Sequence, residues 1–146
     1  MANQELRDKL YVDFLKEFPL ESLKDMTLEK YTNLNREDSF CYWIESKTYK
    51  LGSIWGGSSY KFGIYQYAKK PNNPTIIVSD DKYAWYKWYN VETRDEAYKL
   101  TLSSIVNIAE AANEGRFMDI DNDTTLGEVL RWKIAFLYSH KQLIPI

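Results

Sequence analysis

The apolar residues of this chain change their spacing twice, and that change bounds the folds open to it. From Asn3 to Phe18 they recur every four positions (Leu6, Leu10, Phe14, Phe18), with Leu15 beside them and charge on the other face. Between Tyr60 and Tyr89 they alternate. Tyr60, Phe62 and Ile64 fall opposite Lys61, Gly63, Tyr65 and Tyr67; Ala84, Tyr86 and Trp88 fall opposite Tyr83, Trp85, Lys87 and Tyr89. After Thr93 the helical spacing returns, with Ala97, Leu100, Ile105, Ile108, Ala109 and Ala112 as the buried stripe. A period near 3.6 marks an amphipathic helix and a period of two marks a strand. The expected class is therefore α+β: a small antiparallel sheet over about residues 50–90, packed against N-terminal and C-terminal helices. The 146 residues read as a single domain, 1–146, long enough to bury a core without disulfides.

Local signals place the boundaries. Asn3 can cap the first helix and Pro19 ends it. A turn of helix follows at 20–25, and Thr27 caps a short LEKYT segment. Residues 39–46, SFCYWIES, fit two patterns: a helix from Asp38 or Ser39 burying Phe40, Trp43 and Ile44, or a strand with Phe40, Tyr42 and Ile44 on one face. The helix is preferred. Gly52, Gly56, Gly57 and Gly63 mark bends or bulges. AKKPNNP (68–74) is a loop, TIIVS (75–79) a strand and Asp80-Asp81 a turn. Thr93-Arg94-Asp95-Glu96 is a capping box, Gly115 a helix stop, DIDNDTT (119–125) an acidic loop, and 126–138 a last, largely buried helix.

Charge is distributed unevenly. Residues 1–46 carry six basic and ten acidic side chains, and residues 90–146 carry six and nine. Residues 47–89 carry seven lysines against Asp80 and Asp81, and hold 11 of the 23 aromatic rings. Lysines interleaved with rings suit a surface that neutralises phosphates and stacks bases. Strand preference for aromatics and for exposed lysine on edges accounts for the same composition. On the first reading Lys47, Lys50, Lys61, Lys69, Lys70 and Lys87 contact phosphates. The backbone N–H groups and hydroxyls of the Gly56-Gly57-Ser58-Ser59 corner would hold a single backbone phosphate through Ser58 and Ser59. Trp55, Tyr65, Tyr67, Tyr83 and Trp85 would wall a base pocket, while Trp43, Trp88 and Trp132 go to the core.

Other chemistries find little support. The one histidine, His140, has no G-x-S-x-G partner motif, and one His with one Cys cannot build a zinc cluster. Asp119, Asp121 and Asp123 resemble the start of a calcium loop, but Thr124 stands where Gly is needed and Leu130 where the closing Glu belongs. The glycine corner lacks the G-K-[ST] ending of a P-loop. Glu45-Ser46-Lys47 spells the E-x-K of metal-dependent nucleases without a clear second acid. The expectation is a non-enzyme without cofactor or metal. A lone Cys41, a charged start (MANQELRDKL) and no long apolar run point to a cytoplasmic chain with no membrane partner.

Longer blocks carry a resemblance. "MTLEKYT", "DSFCYWIESKTYKLGSIWGGSSYKFGIY", "YAWYKWY", "TRDEAY" and "RWKIAFLYS" resemble, over about residues 26–146, the N-terminal domain of McrB-like AAA+ GTPases of modification-dependent restriction systems. The resemblance implies a recognition module. In that family the N-terminal domain chooses the DNA, often by a modified base, the AAA+ motor assembles on nucleotide, and a separate nuclease subunit cuts. The family assigns no ligand-contacting residue to this sequence. The chain has no Walker A, Walker B or arginine finger, so no GTPase activity is expected of it. The alternative function is a protein-interaction module that senses a phage or partner protein, since interface cores are also rich in Tyr and Trp.

Overall fold

The computed structural model describes residues 2–34, 38–44, 62–72, 74–126 and 128–139. Helix α1 (Ala2–Glu17) starts one residue earlier than expected, so Asn3 lies within its first turn instead of capping it. Pro19 leaves the helical region at φ −61° and ψ 144° and leads into a 3-10 turn, Leu20–Asp25. In α2 (Leu28–Tyr31) the Thr27 hydroxyl oxygen accepts the Lys30 N–H at 3.2 Å. In α3 (Phe40–Tyr42) Ser39 Oγ accepts the Tyr42 N–H at 3.3 Å. The helical reading of the start of SFCYWIES therefore holds, and its cap is Ser39.

These N-terminal elements meet the last helix, α6 (Glu128–Tyr138), through rings. Phe14 packs edge-on to Tyr138 at 5.5 Å, Phe18 edge-on to Phe40 at 5.1 Å, and Tyr31 stacks on Phe40 at 5.8 Å. Each such pair contributes about 0.5–1.5 kcal/mol beyond its buried area. The Tyr138 hydroxyl donates to the Phe18 carbonyl at 2.7 Å, so the polar end of this cluster is satisfied.

The spine is α4 (Arg94–Glu114). Thr93 Oγ1 accepts the Glu96 N–H at 3.2 Å, capping the helix, and the hydroxyl donates to Glu96 Oε1 at 2.9 Å. Gly115, at φ +77°, ends the helix. Leu100, expected in the buried stripe, is instead 41% exposed, whereas Ala97, Ile105, Ile108, Ala109 and Ala112 are buried. The segment expected as an acidic loop begins as a helix, α5 (Phe117–Asn122). Ile120 is fully buried, and that contact draws the flanking aspartates into helical turns. Arg131 Nη1 donates to the carbonyls of Ile120, Asp121 and Asp123, tying α6 to the C-terminal end of α5.

The sheet has three antiparallel strands, β1 (Ile64–Gln66), β2 (Ile77–Ser79) and β3 (Tyr83–Tyr86), in the order β1-β3-β2. Ile64 pairs with Trp85 and Trp85 with Val78, so these three share the face turned to the core. The sheet meets the helices closely at Gly63 (φ +83°), where a Cβ would stand 2.5 Å from Tyr89 Oη and 2.9 Å from Thr101 Oγ1. The architecture is α+β with a small sheet, as the change of period requires. Among the described residues no helix is long and apolar enough to cross a membrane.

Candidate nucleic-acid interface

The Asp80-Asp81 turn organises one end of the sheet. Asp80 Oδ1 accepts the N–H groups of Lys82 and Tyr83 at 2.8 and 2.7 Å, an Asx turn that starts β3. Arg94, in the first turn of α4, reaches both acids at 2.6 Å, through Nε to Asp80 and Nη2 to Asp81. Its guanidinium also lies over the Tyr83 ring, 4.7 Å from the centroid. Partial burial pushes the Asp80 carboxyl up, but the two backbone N–H groups and Arg94 outweigh it and hold the group below its ordinary value.

The Tyr67 N–H donates to the Lys82 carbonyl at 3.1 Å, and the Tyr67 hydroxyl donates to the Asp80 carbonyl. Lys69 and Lys70 follow directly in an exposed loop. Lys69 and Lys70 thus leave the sheet two and three residues after Tyr67, at the end where Lys82 stands and where Arg94 holds the carboxylates of the turn. Among the described residues none of the three forms an ion pair. Lys87 lies at the opposite end of the sheet, its N–H on the Ile76 carbonyl at 2.7 Å and Nζ 3.4 Å from the Pro74 carbonyl.

Beside the outer edge of β1 lies a cleft of about 190 Å³, lined by residues that include Thr32, Leu34, Tyr42, Phe62, Tyr65 and Gln66. Its wall is fixed by two bonds: Gln66 N–H to Thr32 Oγ1 at 3.2 Å and Leu34 N–H to Gln66 Oε1 at 2.9 Å. Drug-sized sites run to about 300–1,000 Å³, so this cleft suits one small planar group. Tyr65 stands four residues from Lys69, at most about 14 Å along the chain.

The expected ring wall is only partly present. Tyr65 lines the cleft and Tyr67 is half-buried at the turn. Tyr83 and Trp85 are core residues, 4% and 1% exposed, and cannot wall a surface pocket. Trp88, assigned to the core from sequence, is 56% exposed. The reversal has one cause. Alternation carried through Lys87 sets Trp85 on the lysine face; β3 instead stops at Tyr86 and Lys87–Tyr89 is a 3-10 turn, so Lys87 does not share a face with Trp85. The Trp88 ring packs on Tyr86 at 5.5 Å and on Tyr89 at 4.8 Å. Three rings in four positions (Tyr86, Trp88, Tyr89) could have signalled that one must leave the core. Tyr42 in the cleft was also missed, because its role depends on α3 being a helix. Trp55, Lys47, Lys50, Ser58, Ser59 and Lys61 lie outside the described residues, as do Glu45 and His140.

No family model, curated protein or solved structure matches this chain.

Proposed function

We propose that this chain is a DNA-binding specificity domain of a McrB-like restriction or anti-phage system, without chemistry of its own. The observation that carries the reading is that the chain leaves β1 through Tyr67 to Lys69 and Lys70 at the end of the sheet where Lys82 stands, with Asp80 and Asp81 engaged by Arg94, while Tyr65 of the same strand lines a cleft. Lysines of this kind attract a polyanion even on an acidic chain, because phosphate contact depends on local field and counterion release, not on net charge. The cleft, with Tyr65 and Tyr42 in its lining, is sized for a base or its modifying group. In this reading the motor domain and the nuclease subunit of the system act on what the domain selects.

The test is intrinsic tryptophan fluorescence titrated with oligonucleotides that differ by one modification each, repeated across salt concentrations. Binding that weakens steeply with salt supports the proposal. Absence of binding to every duplex and single strand refutes it. The exposed Trp88, with Ile76 39% exposed nearby, favours a second reading, a surface for a phage or partner protein. Trp88→Ala separates the two: it abolishes capture of a protein partner and leaves oligonucleotide affinity unchanged if DNA binds at the lysine end.

A further inference from the structure

We propose that the outer face of α4 is the interface of a homodimer in which a second copy packs antiparallel, Lys99 of each chain entering an acidic cleft on the other. Two clefts of about 370 and 380 Å³ run along this face, between α4 and the 3-10 turn, and share Lys24, Val106 and Glu110. Their floor is apolar and only half-buried: Leu20, Leu102 and Val106. On a helix of 3.6 residues per turn, Lys99, Val106 and Glu110 fall on one line, so the face is a single stripe.

Charge along the stripe is asymmetric. Lys99 stands toward the N-terminal end; Glu21, Glu110 and Glu114 line the C-terminal cleft and outnumber Lys24, which both clefts share. Glu114 is held by Arg116 at 3.1 Å. Lys99, Glu21 and Glu110 form no ion pair among the described residues. A face that is basic at one end and acidic at the other is complementary to itself under a two-fold axis, which is the symmetry of an isologous dimer. An axis crossing α4 between Ser104 and Ile105 sets Lys99 opposite Glu110 of the second copy, and the reverse. Leu102 and Val106 of both copies then meet between the two ion pairs, about 16 Å apart along the helix. The reading stands apart from DNA binding, since the lysine end of the sheet is not used.

Sedimentation equilibrium of the whole chain tests it. The wild type is expected to show a concentration-dependent dimer. Lys99→Glu or Glu110→Lys alone should raise the dimer dissociation constant at least about tenfold, like charges then facing across the axis. An equimolar mixture of the two variants should dimerise again, because each chain supplies the charge the other lacks. The Lys99→Glu/Glu110→Lys double variant should also recover. These positions are exposed, so the fold survives the changes. A wild type that stays monomeric across the micromolar range, or a dimer indifferent to both reversals, overturns the proposal. So does a mixture that fails to recover.

Discussion

Arg94 Nε lies 2.6 Å from Asp80 Oδ2, joining the first turn of α4 to the turn between β2 and β3. With the Nη2 bond to Asp81, it sets the charge at the lysine end of the sheet. Arg94→Ala should release two carboxylates beside Lys82 and weaken DNA binding with no change in the cleft. The stability loss should stay within about 0.2–1 kcal/mol, the range of partly exposed ion pairs. Urea unfolding and fluorescence titration on the same variant separate the two effects.

Asp80 also predicts an acid limb. Its carboxyl is held below the ordinary value in the fold, so the native state binds fewer protons than the unfolded chain. Its stabilisation is complete above the unfolded value of about 3.9 and is lost as pH falls through the lower folded value. Asp80→Asn should flatten that part of the stability–pH curve in urea titrations between pH 5 and the acid transition, and a curve that keeps its slope refutes the assignment.

Lys133 works in the opposite range. Its side chain is fully buried in α6, and burial lowers its pKa from 10.5 to about 8. The unfolded chain therefore holds more protons between about pH 8 and 10, and stability should rise with pH across that window. Lys133→Met should remove the rise, read by urea unfolding across that pH window. Above pH 10 the trend should reverse, as Tyr89 and Tyr98, whose hydroxyls burial pushes up, ionise only in the unfolded state.

Two glycines with similar positive φ should respond differently to alanine. At Gly63 the added methyl meets Tyr89 and Thr101, so the cost should exceed about 1–3 kcal/mol of overpacking. At Gly115 the space is open, and only the backbone cost of about 1 kcal/mol applies. Chemical unfolding of both variants makes the comparison.

Binding and folding residues should separate in the sheet. Lys69→Glu with Lys70→Glu should lower DNA affinity and reduce the salt slope by roughly 0.9 per lost phosphate contact, and Lys87→Glu, at the far end, should do less. Tyr65→Ala should weaken binding at nearly unchanged stability, whereas Trp85→Ala should cost about 3–5 kcal/mol and threaten the fold itself.

The helices were legible because their ends carry their own chemistry. Thr27, Ser39, Thr93 and Gly115 act within one or two turns of chain, so each cap could be read from its neighbours. The face of β3 could not. Its direction follows from Trp85 pairing with Ile64, a contact over about twenty residues, and from a strand that ends before Lys87. Within the candidate site, Lys69, Lys70 and Tyr65 were legible from composition and period. The Arg94 bridge and the Tyr42 wall were not, since both depend on elements meeting in space.

The Tyr138 to Phe18 bond spans 120 residues, and it has a consequence in time. A ribosome adding about 5–20 residues per second needs roughly 6–24 s to bring Tyr138 within reach of α1. Through that interval Phe14 and Phe18 have no α6 to bury them. Until then Phe40 and Trp43 are the rings within reach of them, so the last helix completes a cluster already begun.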